Sequence, residues 1–473
     1  MTGRDTRILD PNLVALRRER KVHYPAADPF HPPEAYPEYL WGSGARQPDN
    51  RVYPMVRELL FYLGLDRSNY GTREWNPFGE FIRPGDKVVI KPNFVTDLHR
   101  THPQWAEARL ALFTHGSILR PLVDYAFKAC GEDGFITICD SPLEEPRPES
   151  FKNIAHLSGT QSMVDRLSRM GVPLRLLDLR DGIHTFCDSI GISFKLPGDP
   201  LGYTVIDLGS ESLLEEILED FEKFETGTWK QVSDYHYPGH HFYSIANTVL
   251  DADVFINVPK LKTHKKTGVT LCLKNIMGIS NRKDWIPHWR RRIDEYKNCD
   301  PFYIDLLKSA FNTNSHLSQK ILTQFIKIAK IKLNGYGNWH GNDTIWRIQV
   351  DLNKILFFAD KHGVLQSEPQ RRYFTVIDGI IASEGDSPLE PQPRSLGAIF
   401  AGGDPVAVSK VGCDLMRVDF RKVKKIIRAA SLKEHAFSRC NLDQIRVVGD
   451  DPATCAEPFK MPENWELLAV EMP

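Results

Sequence analysis

The feature that most constrains this chain is a strand, a helix and a second strand in close succession. Lys87-Val-Val-Ile-Lys91 is a short apolar strand after a Pro-Gly-Asp turn. Ser117 then opens a helix with Leu119, Leu122, Val123, Ala126 and Ala129 on one face, stopped by Gly131. Phe135-Ile-Thr-Ile-Cys139 is the next strand. Two strands joined through a helix lie parallel, with a right-handed crossover. A further helix at 160–170 and a strand from Leu174 to Leu179 extend the pattern. The expected fold is therefore α/β, with mainly parallel sheets and flanking helices. Ligands of such sheets bind beyond the carboxyl ends of the strands. The residues at the strand exits are therefore the first candidates for a site: Lys91-Pro-Asn93, Cys139-Asp140-Ser-Pro and Asp178-Leu-Arg-Asp181.

The second half repeats the logic. Val254-Phe-Ile-Asn-Val258 reads as a strand, followed by Pro259-Lys-Leu-Lys-Thr-His264. Residues 300–361 read as mainly helical, most clearly from Asp343, with Ile345, Ile348, Leu352, Ile355 and Leu356 on one face and Gly363 as the stop. Strands are expected at 374–378, 396–400 and 445–448, and Asp404-Pro405 as a helix cap with proline at the first helical position. The predicted organisation is an extended arm (1–52), an α/β half (53–250) and a second α/β half (251–473). The second half carries a helical insertion at about 300–362, and the two halves flank a cleft.

Composition narrows the function. With 60 Lys+Arg against 61 Asp+Glu over 473 residues, the chain lacks the basic excess of a dedicated nucleic-acid binder. No apolar run reaches the roughly 18 residues of a membrane span, and the polar start has no secretory apolar core. A cytoplasmic location is expected. The 8 cysteines are scattered and never form CxxC, so no iron–sulfur cluster is expected.

Against that neutral background, residues 254–283 hold Lys260, Lys262, Lys265, Lys266, Lys274, Arg282 and Lys283 and no acid. Such a concentration suits a phosphate or carboxylate, although a solvated basic loop has the same composition. Lys274 lies between Leu273 and Asn275-Ile276, where a lysine either snorkels or is held for a purpose. His264 is the one group of the segment expected to titrate near neutral pH. Acids at strand or helix ends (Asp140, Asp343, Asp378, Glu384, Asp386, Asp404) could converge on Mg²⁺ or Mn²⁺, orient lysines, or cap helices. Trp285–Arg292 mixes aromatics and cations, and 317–333 is a basic amphipathic helix. These leave a nucleic-acid or membrane-surface role as a distant alternative. The pentapeptide Asp-Ser-Pro-Leu-Glu occurs at both 140 and 386, by duplication or by coincidence.

Together these motifs resemble the domain of unknown function 362 family, largely without assigned activity. The carriers are Val89-Ile-Lys-Pro-Asn93, Asp140-Ser-Pro142, Asp253-Val-Phe-Ile-Asn-Val-Pro-Lys-Leu-Lys-Thr-His264, Thr267–Asn275 with Gly278, Gly341–Arg347, Asp351-Leu-Asn353, Asp378-Gly-Ile380, Glu384-Gly385 and Gly403–Ala407. The resemblance implies an α/β fold over about 80–420. Some members carry a ferredoxin-like iron–sulfur insertion, for which this chain lacks the cysteines. Members commonly follow Asp-Pro-Val-Ala-Val with Asp; here Ser409 follows. A remoter similarity, held as analogy, links His264 and Lys274 to a histidine and a lysine ten positions apart in nickel-pincer lactate racemases.

The expected function is a cytoplasmic enzyme acting on a small anionic metabolite. Its reaction is proton transfer, as in racemases and epimerases, or metal-assisted group transfer. The alternative is a non-catalytic anion- or cofactor-binding protein. The expected catalytic residues are His264, Lys274 and Asp343. Lys91, Asn93, Lys260, Lys262, Thr263, Asn275 and Arg347 are expected to bind the anion, and Asp140, Glu384 and Asp378 a divalent cation.

Overall fold

The computed structural model describes residues 9–42, 44–143, 147–187, 190–226, 232–291, 293–294 and 337–470. Its framework is an eleven-stranded sheet. The strands used below are β1 (Leu13–Arg18), β2 (Lys87–Pro92), β3 (Phe135–Asp140), β4 (Leu174–Asp178), β5 (Val254–Val258), β6 (Lys260–His264), β7 (Arg372–Asp386), β8 (Glu390–Arg394), β9 (Ala398–Gly402) and β10 (Arg446–Gly449). Across the main path they run β10-β1-β9-β7-β5-β2-β3-β4. From β7 to β4 all neighbours are parallel; β9 is antiparallel to both β7 and β1.

The strands alternate between two cores. Val88 and Ile90, like Val254, Ile256 and Val258, pack on one side, with helices α1 (Val52–Tyr62) and α2 (Gly116–Cys130). Val89 and Phe255 pack on the other, with α3 (Leu271–Asn275), α4 (Ile345–Phe358) and α5 (Pro405–Leu415). Burial on both faces is why these strands read as unbroken apolar runs. Each fully buried leucine or valine stabilises the fold by roughly 1.5–3 kcal/mol. The Asn50 carboxamide accepts from the amides of Val52 and Tyr53 at 3.1 Å, starting α1, and Gly64 follows its end with φ 81°. Asp404 caps α5 through the amides of Val406 and Ala407, as expected.

Both expected halves contribute strands to one sheet, since β5 hydrogen-bonds β2 along five residue pairs. Within the expected arm, Leu13–Arg18 lies between β9 and β10 as a sheet strand. Several expectations are corrected. The basic segment after Val258 is not a loop. It forms β6, which runs beside the long β7 from Asp378 to Ser383. Residues 300–336 of the expected helical insertion, and the basic helix at 317–333, lie outside the described residues. The insertion's described helix is α4, which ends at Phe358, before Gly363. The two Asp-Ser-Pro-Leu stretches are not equivalent: Asp140 ends a parallel strand, whereas Asp386 opens the β7–β8 hairpin. Among the described residues, no helix is long and apolar enough to cross a membrane.

Candidate functional site

Strands β2, β3 and β5 end at one edge of the sheet, as their registers require: Pro92 lies beside Val258 and Ile90 beside Ile138. Lys91 and Asp140 therefore face each other, Nζ to Oδ1 at 2.7 Å, both almost wholly buried. The second Asp140 oxygen accepts from the Phe94 amide at 2.7 Å. Gly278 closes over this pair; a Cβ there would stand 1.9 Å from Asp140 Oδ1 and 2.5 Å from Lys91 Nζ. That close approach is the physical reason for glycine at this position.

A chain of carboxamides fastens α3 to the same strand ends. Asn93 donates to Asn275 Oδ1 at 2.8 Å, Asn275 to Asn257 Oδ1 at 2.7 Å, and Asn257 to the Tyr373 hydroxyl at 2.8 Å. Among the described residues Asn93 Oδ1 is left buried with no partner, as are the hydroxyls of Ser141 and Thr270. Each such atom costs about 1–3 kcal/mol unless something else meets it.

Beside this frame stands a group of lysines. Lys262 is 1% exposed, forms no ion pair among the described residues, and has a single hydrogen bond, to the Leu112 carbonyl at 3.3 Å. Burial, then Lys274 and Lys260, drive its pKa well below the usual amine range. Lys274, partly exposed on α3, has neither ion pair nor hydrogen bond among the described residues. Burial and the nearby Lys91 lower it to about 8 against the pull of Asp140. Lys266 is lowered to about 7 by burial, Lys265 and Lys274, with its amine 4.7 Å from the Trp289 ring centre. Lys274 is a neighbouring charge that acts on Lys262, His264, Lys266, Lys425 and His288 alike, which makes it the hub of the group.

His264 corrects the sequence-based expectation. It is 3% exposed, and burial, then Lys274, Lys425, Lys262 and Lys266, hold its pKa well below the usual imidazole range. The ring is neutral at pH 7. Its Nδ1 accepts from the Lys266 amide at 3.1 Å, so the proton sits on Nε2. The groups that titrate near neutrality are Lys274 and Lys266, not the histidine.

The remaining expected residues divide. Lys260 joins Asp378 at 3.0 Å, both fully buried, and the Tyr24 hydroxyl bonds both partners at 2.5 and 2.6 Å. Its charge is thus compensated, and Asp378 also takes the His115 amide at 3.1 Å. Thr263 donates to the Gly385 carbonyl at 2.8 Å. Glu384 accepts from the Lys460 amide at 3.1 Å. Asp343 and Arg347 pair at 3.0 Å, with Lys424 on the same carboxylate at 2.8 Å; this bridge network holds Asp343 down at about 2. Asp343 does not cap α4 either: Asn342 Oδ1 takes the Thr344 amide at 3.0 Å. Asp140, Asp378 and Glu384 have these separate partners, and among the described residues no group of three His, Cys, Asp or Glu is arranged to hold a metal. In the aromatic–basic stretch Trp285 stacks on Tyr235 at 4.2 Å and Trp289 is fully buried, so both rings are engaged in packing.

Sequence reasoning missed Lys425, on the helix Lys424–Ala430. Its buried amine bonds the carbonyls of Val269 and of Thr270 (3.2 Å) beside His264. The signal was present, since Lys425 shares the buried face of that helix with Ala429, four residues on. It also missed Asn257, the one polar residue in the otherwise apolar β5. Tyr24, in the proline-rich arm, carried no such signal.

Residues 187–414 match the family described as "Domain of unknown function (DUF362)". The match takes in β5, β6 and α3, and hence Asn257, Lys262, His264, Lys274 and Asn275. Lys91, Asn93, Asp140 and Lys425 lie outside it. A thylakoid-associated protein of Synechocystis sp. is 22% identical over 178 residues, 37% of this chain and 36% of that protein. The chain thus spans little more than a third of that relative. No solved structure matches.

Proposed function

We propose that the chain is an enzyme of small anionic metabolites, carboxylate- or phosphate-bearing, held at the carboxyl edge of β2, β3 and β5. One observation carries this reading: among the described residues Lys262 and Lys274 lack a carboxylate, whereas Lys91, Lys260, Arg57 and Arg120 each have one. Burying an uncompensated ammonium costs several kcal/mol, and a bound anion offsets that cost. Lys262 and Lys274 take the negative group. The unpartnered Asn93 Oδ1 and Ser141 and Thr270 hydroxyls meet its polar substituents.

Of the two reaction classes, proton transfer is the better supported. Lys274, at about 8 in the free protein, is present near neutral pH both as the ammonium that holds an anion and as the amine that takes a proton, as a general base must. His264, neutral with Nε2–H, donates to a developing oxyanion without adding charge. The carboxylates that metal-assisted transfer would use are engaged by Lys91, Lys260 and the Lys460 amide.

The test is exchange of the α-hydrogen in deuterium oxide, followed by NMR over a panel of 2-hydroxy and 2-amino carboxylates. Exchange with at least one member, lost in Lys274→Met, supports the reading. Saturable binding without exchange makes the chain a non-catalytic anion binder. No binding of any carboxylate, phosphate or sulfate defeats both.

A further inference from the structure

The opposite edge of the same sheet holds a cavity of about 300 Å³, where β7 begins and β9 ends. That volume matches the lower range of small-molecule sites. Phe81, Phe357, Tyr373 and Phe437 form aromatic walls, and Arg372 and Arg439 supply charge. The Phe357 ring stacks on Phe437 at 5.5 Å and lies 4.9 Å from Tyr373. Arg372 holds Asp86 through Nη2 at 2.8 Å, but its buried Nη1 has no partner among the described residues. Arg439 is exposed; its backbone amide bonds Asp404 at 2.9 Å, while its guanidinium makes no ion pair among the described residues. The wall's one carboxylate, Asp404, is turned to its own helix: it takes the amides of Val406, Ala407 and Arg439 and the Ser438 hydroxyl.

We propose that this cavity is a second binding site, for a small anion with an aromatic body such as an aryl carboxylate. The ring packs among Phe357, Phe437 and Tyr373. The anionic group takes the free N–H of Arg372 and, at the rim, the guanidinium of Arg439, in charge-assisted bonds. Buried aromatic surface and an unanswered guanidinium N–H together define that class; neither acetate nor an uncharged arene satisfies both. The site is independent of the lysine edge, which lies beyond the other ends of the strands.

Equilibrium dialysis of labelled benzoate against the full chain, in sulfate enough to fill the lysine edge, tests the assignment, with acetate and benzyl alcohol as competitors. One benzoate per chain is expected, with each competitor at least tenfold weaker. Arg372→Gln and Arg439→Gln each weaken benzoate roughly tenfold, the size of one charge-assisted contact. Lys274→Met binds it as the wild type does. Because Arg372 also holds Asp86, thermal unfolding is measured on that variant; if it unfolds, the exposed Arg439→Gln decides alone. Absence of saturable benzoate binding, unchanged affinity in Arg439→Gln, or loss of affinity in Lys274→Met overturns the proposal.

Discussion

Lys91 Nζ lies 2.7 Å from Asp140 Oδ1 with the backbone of Gly278 pressed against both atoms. Each partner is almost wholly buried, so neither charge can turn to water when the other is removed. Lys91→Met or Asp140→Asn alone should therefore cost about 3–5 kcal/mol of stability. The double variant should lose clearly less than the sum, because it leaves no uncompensated charge. Urea unfolding of the four proteins forms the cycle; additive losses would mean that the pair does not act as a unit.

Lys274 should behave in the opposite way. Among the described residues its amine has no carboxylate, so Lys274→Met removes an uncompensated charge and keeps the apolar stem. The melting temperature should hold or rise. Sulfate affinity should fall by on the order of tenfold or more, corresponding to about 1.5–3 kcal/mol for a charge-assisted bond. A large drop in melting temperature with sulfate binding intact would make the lysine structural.

The pH dependence comes from the same group. In the free protein Lys274 loses its proton near pH 8 rather than near 10.5. A bound anion favours the charged amine, so the free site deprotonates before the occupied one. Sulfate, whose own charge is constant over pH 6–10, should bind progressively more weakly above about pH 8. Stability moves the other way. Folded Lys266 and Lys274 sit at about 7 and 8, below their unfolded value of 10.5, so the unfolded chain holds more protons between those limits. Their contribution to stability therefore rises with pH across that window. Calorimetric titration of sulfate and unfolding at pH 7, 8 and 9 check both signs.

Local rules made much of this legible. The strand–helix–strand order placed β2, α2 and β3, and the apolar run placed β5, because both signals are short-range. What the sequence could not show was pairing. Lys260, Lys262 and Lys274 look alike in a basic segment. Only tertiary contacts give Lys260 the carboxylate of Asp378, 118 residues away, and deny one to the other two. The same holds for His264, whose ordinary pKa is displaced by lysines from β6, α3 and a helix more than 150 residues further on. The long β7 was underestimated because Gly379 and Ser383-Glu384-Gly385 look like strand breakers. The backbone of Gly379 is instead needed bare: a Cβ there would meet the Ala398 carbonyl at 2.7 Å.

Lys260 and Lys262 thus offer the sharpest contrast, two residues apart on one strand. Lys260→Met removes the partner of a fully buried Asp378 and one hydrogen bond of Tyr24. It should cost about 3–5 kcal/mol. Lys262→Met removes an amine whose one hydrogen bond is a 3.3 Å contact to a carbonyl, inside a group of like charges. It should leave stability unchanged or raise it, and should weaken sulfate by on the order of tenfold. Tyr24→Phe serves as the control. It withdraws a hydroxyl from Lys260 and Asp378, should cost about 1–3 kcal/mol, and should leave sulfate affinity within about twofold, since the lysine edge keeps every charge. Chemical denaturation paired with sulfate titration on the three variants separates the roles. If Lys260→Met weakened sulfate while Lys262→Met only destabilised the fold, the anion site would have to be moved to the Asp378 side of β6.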